Sequence, residues 1–238
     1  MKLALFDLDH TLLPIDSADA WSHFLVRAGG LDAGHHVGLI RRFADEYRNG
    51  QFDPEEYLAF QMGLLARFEP EALERIRSRF VAEVIEPSLR QEAFELIGTH
   101  RRRRHELVLV TGTNAFVTEP IAARLGLQHL LAVRPERVDG RFTGRYEGHH
   151  TYGQGKVTAL ERFLHLRGST IEALDACAFY TDSINDVPLL ERIASAGGLA
   201  VATNPDPRLR ALAQQRGWGL LDLFVTAPRF GDPVPGPA

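Results

Sequence analysis

The 238-residue sequence predicts an α/β fold: a doubly wound parallel sheet with a small helical cap inserted into it. Three observations carry this reading. Short apolar runs recur along the chain, and continuous rather than alternating apolarity suits strands buried on both faces. Amphipathic stretches, such as residues 119–125 and 156–166, lie between the runs as crossover helices should. One long segment between the first and second runs has helical spacing and no strand-like run.

The elements follow in order. Residues 3–6 form the first run, broken at Asp7-Leu8-Asp9. From about residue 17 to 87 the chain reads as helices interrupted by Gly29-Gly30, by Gly50 and by the Asp53-Pro54 helix start. Leu58, Met62 and Leu65 recur there at helical spacing, and another helix opens at Pro70. The Met and Phe residues of this segment are expected to form its own core rather than a pocket. The second run, 107–110, stops at Thr111-Gly112-Thr113. Residues 134–146, centred on Asp139-Gly140, predict a small hairpin. The third run, 176–180, stops at Thr181-Asp182-Ser183, and a weaker fourth, 199–202, runs into Thr203-Asn204-Pro205. The last eleven residues hold four prolines and two glycines, which predicts a loose tail. The expected organisation is a catalytic core of 1–15 and 88–225, a cap of 16–87 and a flexible tail of 226–238. A length near 1.6 times the rough 150-residue domain norm fits one core plus an insertion.

Composition removes several classes. A formal net charge of −4 lacks the basic excess of a dedicated nucleic-acid binder. No segment approaches the roughly 18 consecutive apolar residues of a membrane span, and Asp7 ends the first run too early for a signal peptide. The expected compartment is the cytoplasm, with a homodimer as an assembly left open. Cys177, the sole cysteine, excludes an internal disulfide and reads as a small buried hydrophobe. Arg101 to Arg104 read as a solvated helix end, without the interleaved aromatics of a polyanion site. The pairs His35-His36 and His149-His150 have no partner at metal-ligand spacing.

Ligands of doubly wound sheets bind off the carboxyl ends of the strands, and each run releases polar residues there. Asp7 and Asp9 stand at i and i+2 beside Thr11. Parallel carboxylates repel unless a cation or proton lies between them, and Mg²⁺ is the usual oxygen-seeking choice. The third run supplies Asp182, Asn185 and Asp186. Thr111 ends the second run, and Gly112-Thr113-Asn114 offers backbone N–H groups to an anion at a helix start. Lys156 follows Gly153-Gln154-Gly155 at the start of another helix. His10 stands where it could line the pocket mouth, but period-two geometry turns it away from Asp9, and its role stays open.

In Asp7-Leu8-Asp9-His10-Thr11, Thr111, Lys156 and Asp182-Ser183-Ile184-Asn185-Asp186, taken in this order, the sequence resembles the haloacid dehalogenase superfamily of phosphatases. The helical insertion is similar to the small cap of its phosphoserine phosphatase-like branch. The resemblance implies a Rossmann-like core and a phosphomonoesterase using Mg²⁺. Asp7 would be the nucleophile, forming an aspartyl phosphate. Asp9 would protonate the leaving alcohol and then deprotonate water, contributing its backbone carbonyl to the metal. Asp7 and Asp182 would be the side-chain metal ligands, with Asp186 orienting them. Thr111, Lys156, Asn185 and the Gly112 amide would hold phosphoryl oxygens. A second acid argues against a dehalogenase, which has no alcohol to protonate.

Two positions address the ester. Asp16 matches the place of an amine-recognising Glu in phosphoserine phosphatases, although it could equally cap the first cap helix. Gln61 falls where those enzymes carry a carboxylate-binding Arg, and an amide lacks the charge for that pair. The expected substrate is therefore a small, amino-bearing phosphate ester without a carboxylate, histidinol phosphate ahead of phosphoserine. A receiver-type signalling protein shares the acids, Thr and Lys but needs only about half this length and no cap. A phosphotransferase would share the first chemical step.

Overall fold

The computed structural model describes residues 1–224, so the tail expected at 226–238 lies outside them. The chain opens with β1 (Lys2–Phe6) and helices α1 (Ser17–Ala28), α2 (Ala33–Asn49), α3 (Pro54–Leu65) and α4 (Pro70–Phe80). A π-helical turn (Val81–Ile85) leads through α5 (Glu86–Ser88) to α6 (Gln91–Arg102) and β2 (Glu106–Val110). Then come α7 (Ala115–Leu125), β3 (His129–Leu131), the hairpin β4 (Arg134–Val138) and β5 (Arg141–Glu147), and α8 (Gln154–His165). The last third holds β6 (Ala176–Thr181), a 3-10 turn (Ile184–Asp186), α9 (Val187–Ser195), β7 (Leu199–Thr203), α10 (Pro207–Arg216) and β8 (Gly219–Leu221).

Six strands make one sheet in the order β3-β2-β1-β6-β7-β8, all neighbours parallel. The chain runs outward from β1 in one direction and from β6 in the other. The loops after β1, β2 and β6 therefore open onto the crevice at the reversal, where such sheets bind ligands. Alternation within β1 explains its apolar run. Leu3 and Leu5 enter a cluster with Val157, Leu160, Leu189 and Ile193 of α8 and α9. Ala4 and Phe6 enter the opposite cluster, with Ile97 of α6 and Ile121 of α7. The four runs read from sequence are all strands of this sheet. The two edge strands, β3 and β8, span three residues each and are only partly buried, so neither carries a buried apolar run.

Residues 16–87 hold helices and no strand of either sheet. Asp16, Asp32 and Asp53 cap α1, α2 and α3 with their carboxylates, and Gly50, at φ +72°, ends α2 in the left-handed conformation. Their core differs from the expectation. Trp21, Leu58, Met62 and Phe80 are buried in one continuous cluster with Phe6 and Phe116, so the insertion shares a core with the sheet. Trp21 meets Phe80 and Phe116 edge-on at 5.3 and 5.9 Å. Phe43, Phe52 and Phe60 face a cavity instead. The β4–β5 hairpin pairs antiparallel and leans on α3, where Tyr146 donates to Glu55 at 2.7 Å. Arg101 to Arg104 are exposed, as a solvated helix end should be. Among the described residues, no helix is long and apolar enough to cross a membrane.

Beneath β6, buried His100 places Nε2 2.8 Å from the Tyr180 hydroxyl and Nδ1 2.8 Å from His105 Nδ1. Burial first, then His105 and Arg103, lower its pKa from 6.5 to about 4. Between these values the unfolded chain takes up a proton that the folded chain refuses, so stability falls as pH falls through that window. We expect wild type to lose about 1–2 kcal/mol more than His100→Gln between pH 7.5 and 4.5, allowing for screening. Urea midpoints at both pH values check this, and equal losses would remove His100 as the cause.

Candidate active site

Asp7 is the first residue beyond β1, and its N–H donates to the Tyr180 carbonyl of β6 at 2.9 Å. The chain then turns sharply, with the Thr11, Leu12 and Leu13 N–H groups converging on the Leu8 carbonyl. That turn returns Thr11 to the strand ends. Its hydroxyl lies 3.2 Å from Asp7 Oδ2 and 3.2 Å from Asp182 Oδ1, and it accepts the Asp182 N–H at 3.0 Å. One hydroxyl proton can serve only one of the two carboxylates at a time.

Lys156, in the first turn of α8, donates to Asp7 Oδ1 at 2.7 Å and to Asp186 Oδ2 at 2.6 Å. Asp186 Oδ2 also accepts from Thr181 Oγ1 at 2.6 Å. Two carboxylates, those of Asp7 and Asp186, thus share one ammonium, and Asp182 joins the group through Thr11. Asp9 faces away from them. Its Oδ1 accepts the Ser17 N–H at 2.7 Å and its Oδ2 accepts from Thr113 Oγ1 at 2.8 Å. Thr113 N–H donates to Thr111 Oγ1 at 3.2 Å, so the β2 loop fastens the β1 loop through one side chain. At Gly112 a Cβ would lie 2.4 Å from Tyr152 Cε1, so only glycine fits under that ring.

Together these groups floor a cavity of about 480 Å³ whose roof comes from α1, α2 and α3. The structure brings every candidate residue to its wall: Asp7, Asp9, Thr111, Gly112, Lys156 and Asp182 on the sheet side, with Asn185 and Asp186 beside them, and Asp16 and Gln61 from the helical side. Asp16 caps α1, its Oδ1 accepting the Asp19 N–H at 2.8 Å, and it also borders the cavity. Gln61 is buried, donating through Nε2 to Ser22 Oγ at 2.8 Å and to the Tyr57 hydroxyl at 3.0 Å, while its Oε1 has no partner. His10 also lines the cavity. Its φ of +56° takes it out of extended geometry, so the period-two argument stops at Asp9.

Sequence reasoning gave no role to Asp19, Tyr47, Tyr57 or Tyr152, nor to the side chain of Thr113, all of which border the cavity. Asn204, also on the wall, stands just past the fourth run, so the strand-end rule could have found it. Nothing in the spacing of the aromatics marks them.

Burial dominates the electrostatics. It pushes Asp7 up to about 7, with Asp186 and Asp9 adding to the rise and Lys156 opposing it. Asp182 is driven well above the usual carboxylate range by burial and by Asp7. Asp9 rises to about 6, first through burial and then through Asp16, against its Ser17 and Thr113 hydrogen bonds. Burial also works against the Lys156 charge, but Asp186 and Asp7 overcome it and hold the ammonium protonated. Elsewhere, burial raises the Cys177 thiol to about 12, which leaves it inert.

Residues 4–191 match the family model of the haloacid dehalogenase-like hydrolases. A histidinol-phosphatase of Neisseria meningitidis is 34% identical over 222 residues, covering 93% of this chain and 98% of that protein. Phosphoserine phosphatase SerB1 of Mycobacterium tuberculosis is 33% identical over 241 residues, covering 97% and 74%. A Bordetella pertussis protein of unknown function superposes with a TM-score of 0.87 at 42% identity, covering 94% of this chain and 99% of that one. With its strand order and the match across most of its length, the chain belongs to the haloacid dehalogenase-like hydrolases.

Proposed function

We propose that this hydrolase is a Mg²⁺-dependent phosphomonoesterase acting on small, amino-bearing phosphate esters, with histidinol phosphate favoured. The observation that carries the reading is the contrast between the two ends of the cavity. At the sheet end, Lys156 and the β2 loop offer positive charge and backbone N–H groups to a phosphoryl group. At the helical end lie Asp16, Asp19 and several aromatic rings, while the cationic side chains among the described lining residues are Lys156 and Arg208, besides His10. Carboxylates and aromatic faces favour an ammonium or imidazolium group. The likeness to a histidinol-phosphatase points the same way. Phosphoserine is the second reading, because Arg208 at the cavity wall could meet a carboxylate.

Asp7 would attack phosphorus through a carboxylate oxygen, breaking the ester P–O bond and forming an aspartyl phosphate. Asp9, held by the hydroxyl of Thr113, would give its proton to the departing alkoxide and then take one from the water that releases phosphate. A carboxyl near pKa 6 exists in both forms close to neutrality, as this double duty requires. Lys156 would offset the repulsion between Asp7 and an anionic ester. We propose residues 16–87 as the cap that keeps bulk water from the intermediate.

A divalent cation fits the donor set. Asp7 Oδ2 and Asp182 Oδ1 converge on Thr11, and both acids are raised first by burial and then by neighbouring carboxylates, Asp186 and Asp9 for Asp7 and Asp7 for Asp182, a repulsion that a cation would relieve. Among the described residues no three His, Cys, Asp or Glu side chains form a metal cage by themselves. Mg²⁺ is commonly held by one or two carboxylates with water and substrate oxygens, so Asp7, Asp182 and the Asp9 carbonyl suffice. When bound, the ion would neutralise charge on the phosphoryl oxygens.

A panel of metabolite phosphates assayed with Mg²⁺ and with EDTA tests the reading. We expect phosphate release that EDTA abolishes, with kcat/KM for histidinol phosphate exceeding that for phosphoserine. A preference for phosphoserine of about tenfold or more, near 1.4 kcal/mol, would reverse the substrate order. Gln61→Arg should move preference toward carboxylate-bearing esters.

A further inference from the structure

Tyr47 stands in the last turn of α2, and its phenol oxygen lies 2.9 Å from Ser183 Oγ, 136 residues further along the chain. Ser183 begins the turn between Asp182 and Asp186. Its Oγ accepts the Asn185 N–H at 3.2 Å, and its carbonyl accepts the Asp186 N–H at 3.1 Å. Its own N–H donates to Thr181 Oγ1, which in turn holds Asp186. The turn that places Asp182, Asn185 and Asp186 is therefore hydrogen-bonded through Ser183, and Tyr47 grips Ser183 from the helical segment.

The Tyr47 ring is itself braced. It meets Phe52 at 5.2 Å, and Phe52 meets Tyr152 at 5.2 Å. Tyr152 is the ring lying against Gly112. One aromatic file thus runs from α2 to both loops that flank Asp7, the loop after β6 by a hydrogen bond and the loop after β2 by packing. Small displacements of such loops are costly, because a misplacement of about 1 Å can lower turnover roughly a hundredfold.

We propose that Tyr47 is a positioning residue: its hydroxyl sets the Ser183 turn, and through it Asn185 and Asp182, when α2 lies over the cavity. Alignment of the phosphoryl-binding turn and coverage of the cavity then become one event. The proposal rests on the phosphomonoesterase reading, and the test separates the two.

Tyr47→Phe keeps the ring against Phe52 and deletes the hydroxyl. With an aryl phosphate and saturating Mg²⁺, its kcat should fall about tenfold while KM stays within about twofold. In Ser183→Ala it should fall at least as far, because that change also deletes the acceptor of the Asn185 N–H, and the double variant should be no slower than Ser183→Ala, since the Tyr47–Ser183 bond is already gone there. Backbone amides of residues 182–187 should exchange faster in Tyr47→Phe at an unchanged melting temperature. A kcat within about twofold of wild type, multiplying losses in the double variant, or unchanged exchange at 182–187 would each overturn the proposal. If wild type turns over no phosphate ester, the phosphatase reading fails, and amide exchange alone decides whether Tyr47 sets the turn.

Discussion

Asp7→Asn is expected to abolish turnover without harming the fold. The amide presents an oxygen to Lys156 Nζ where Asp7 Oδ1 now accepts at 2.7 Å, and its NH₂ can donate to Thr11 Oγ1. It cannot attack phosphorus, so kcat on any ester should fall at least about a thousandfold. Stability should move the other way. Burial raises the Asp7 carboxyl to about 7 against an ordinary 3.8, so between these values the folded chain holds a proton that the unfolded chain has lost. Stability from this group is therefore lost as pH rises from about 4 to 7, and the variant lacks that loss. In metal-free buffer at pH 7.5, Asp7→Asn should be about 1–3 kcal/mol more stable than wild type, and the gap should close toward pH 4. Urea titrations at both pH values, run beside the phosphatase assay, check both halves. Turnover above about 1% of wild type would remove Asp7 as the nucleophile.

How much of this was legible in the sequence depends on whether physics acts locally. Asp7, Thr111, Lys156 and Asp182 stand at the ends of strands or starts of helices, and the parallel sheet gathers all such ends at one edge, so knowing the strands locates the site. The N-caps Asp16, Asp32 and Asp53 are equally local, each satisfying N–H groups two or three residues ahead. Phe43, Phe52 and Phe60 were misread because helical spacing tells which face is apolar but not whether that face meets protein or a cavity. Tyr47 was invisible for a related reason, its partner Ser183 being reached only through the tertiary fold. His10 does line the cavity, but the period-two argument could not orient it, because strand periodicity ends where φ turns positive. The edge strands β3 and β8 are too short and too exposed to carry a pattern.

Lys156→Met should produce the largest loss of stability. The ammonium is buried between Asp7 and Asp186, 2.7 and 2.6 Å from their oxygens. Methionine fills much of the same volume but leaves those carboxylates with little beyond Thr11 and Thr181 as donors. Breaking a buried ion pair from one side costs about 3–5 kcal/mol, because the remaining charge is neither solvated nor matched. For a chain of this length that is a drop of roughly 6–20 °C in melting temperature. The pH dependence has a definite sign. Asp7, raised to about 7 by burial although Lys156 holds it down, would titrate higher still without the ammonium, so the variant's deficit should grow as pH rises through about 7 to 8, where the wild-type carboxyl ionises and the variant's does not. Lys156 itself, whose pKa is raised, stays charged throughout that range and adds no slope in wild type. Adding Asp7→Asn to Lys156→Met removes one of the uncompensated charges and should stabilise by more than Asp7→Asn does alone in wild type, a coupling that independent sites would not show. Melting within about 2 °C of wild type at pH 8, or strictly additive effects in the double variant, would mean that Lys156 does not carry the electrostatic balance of the site.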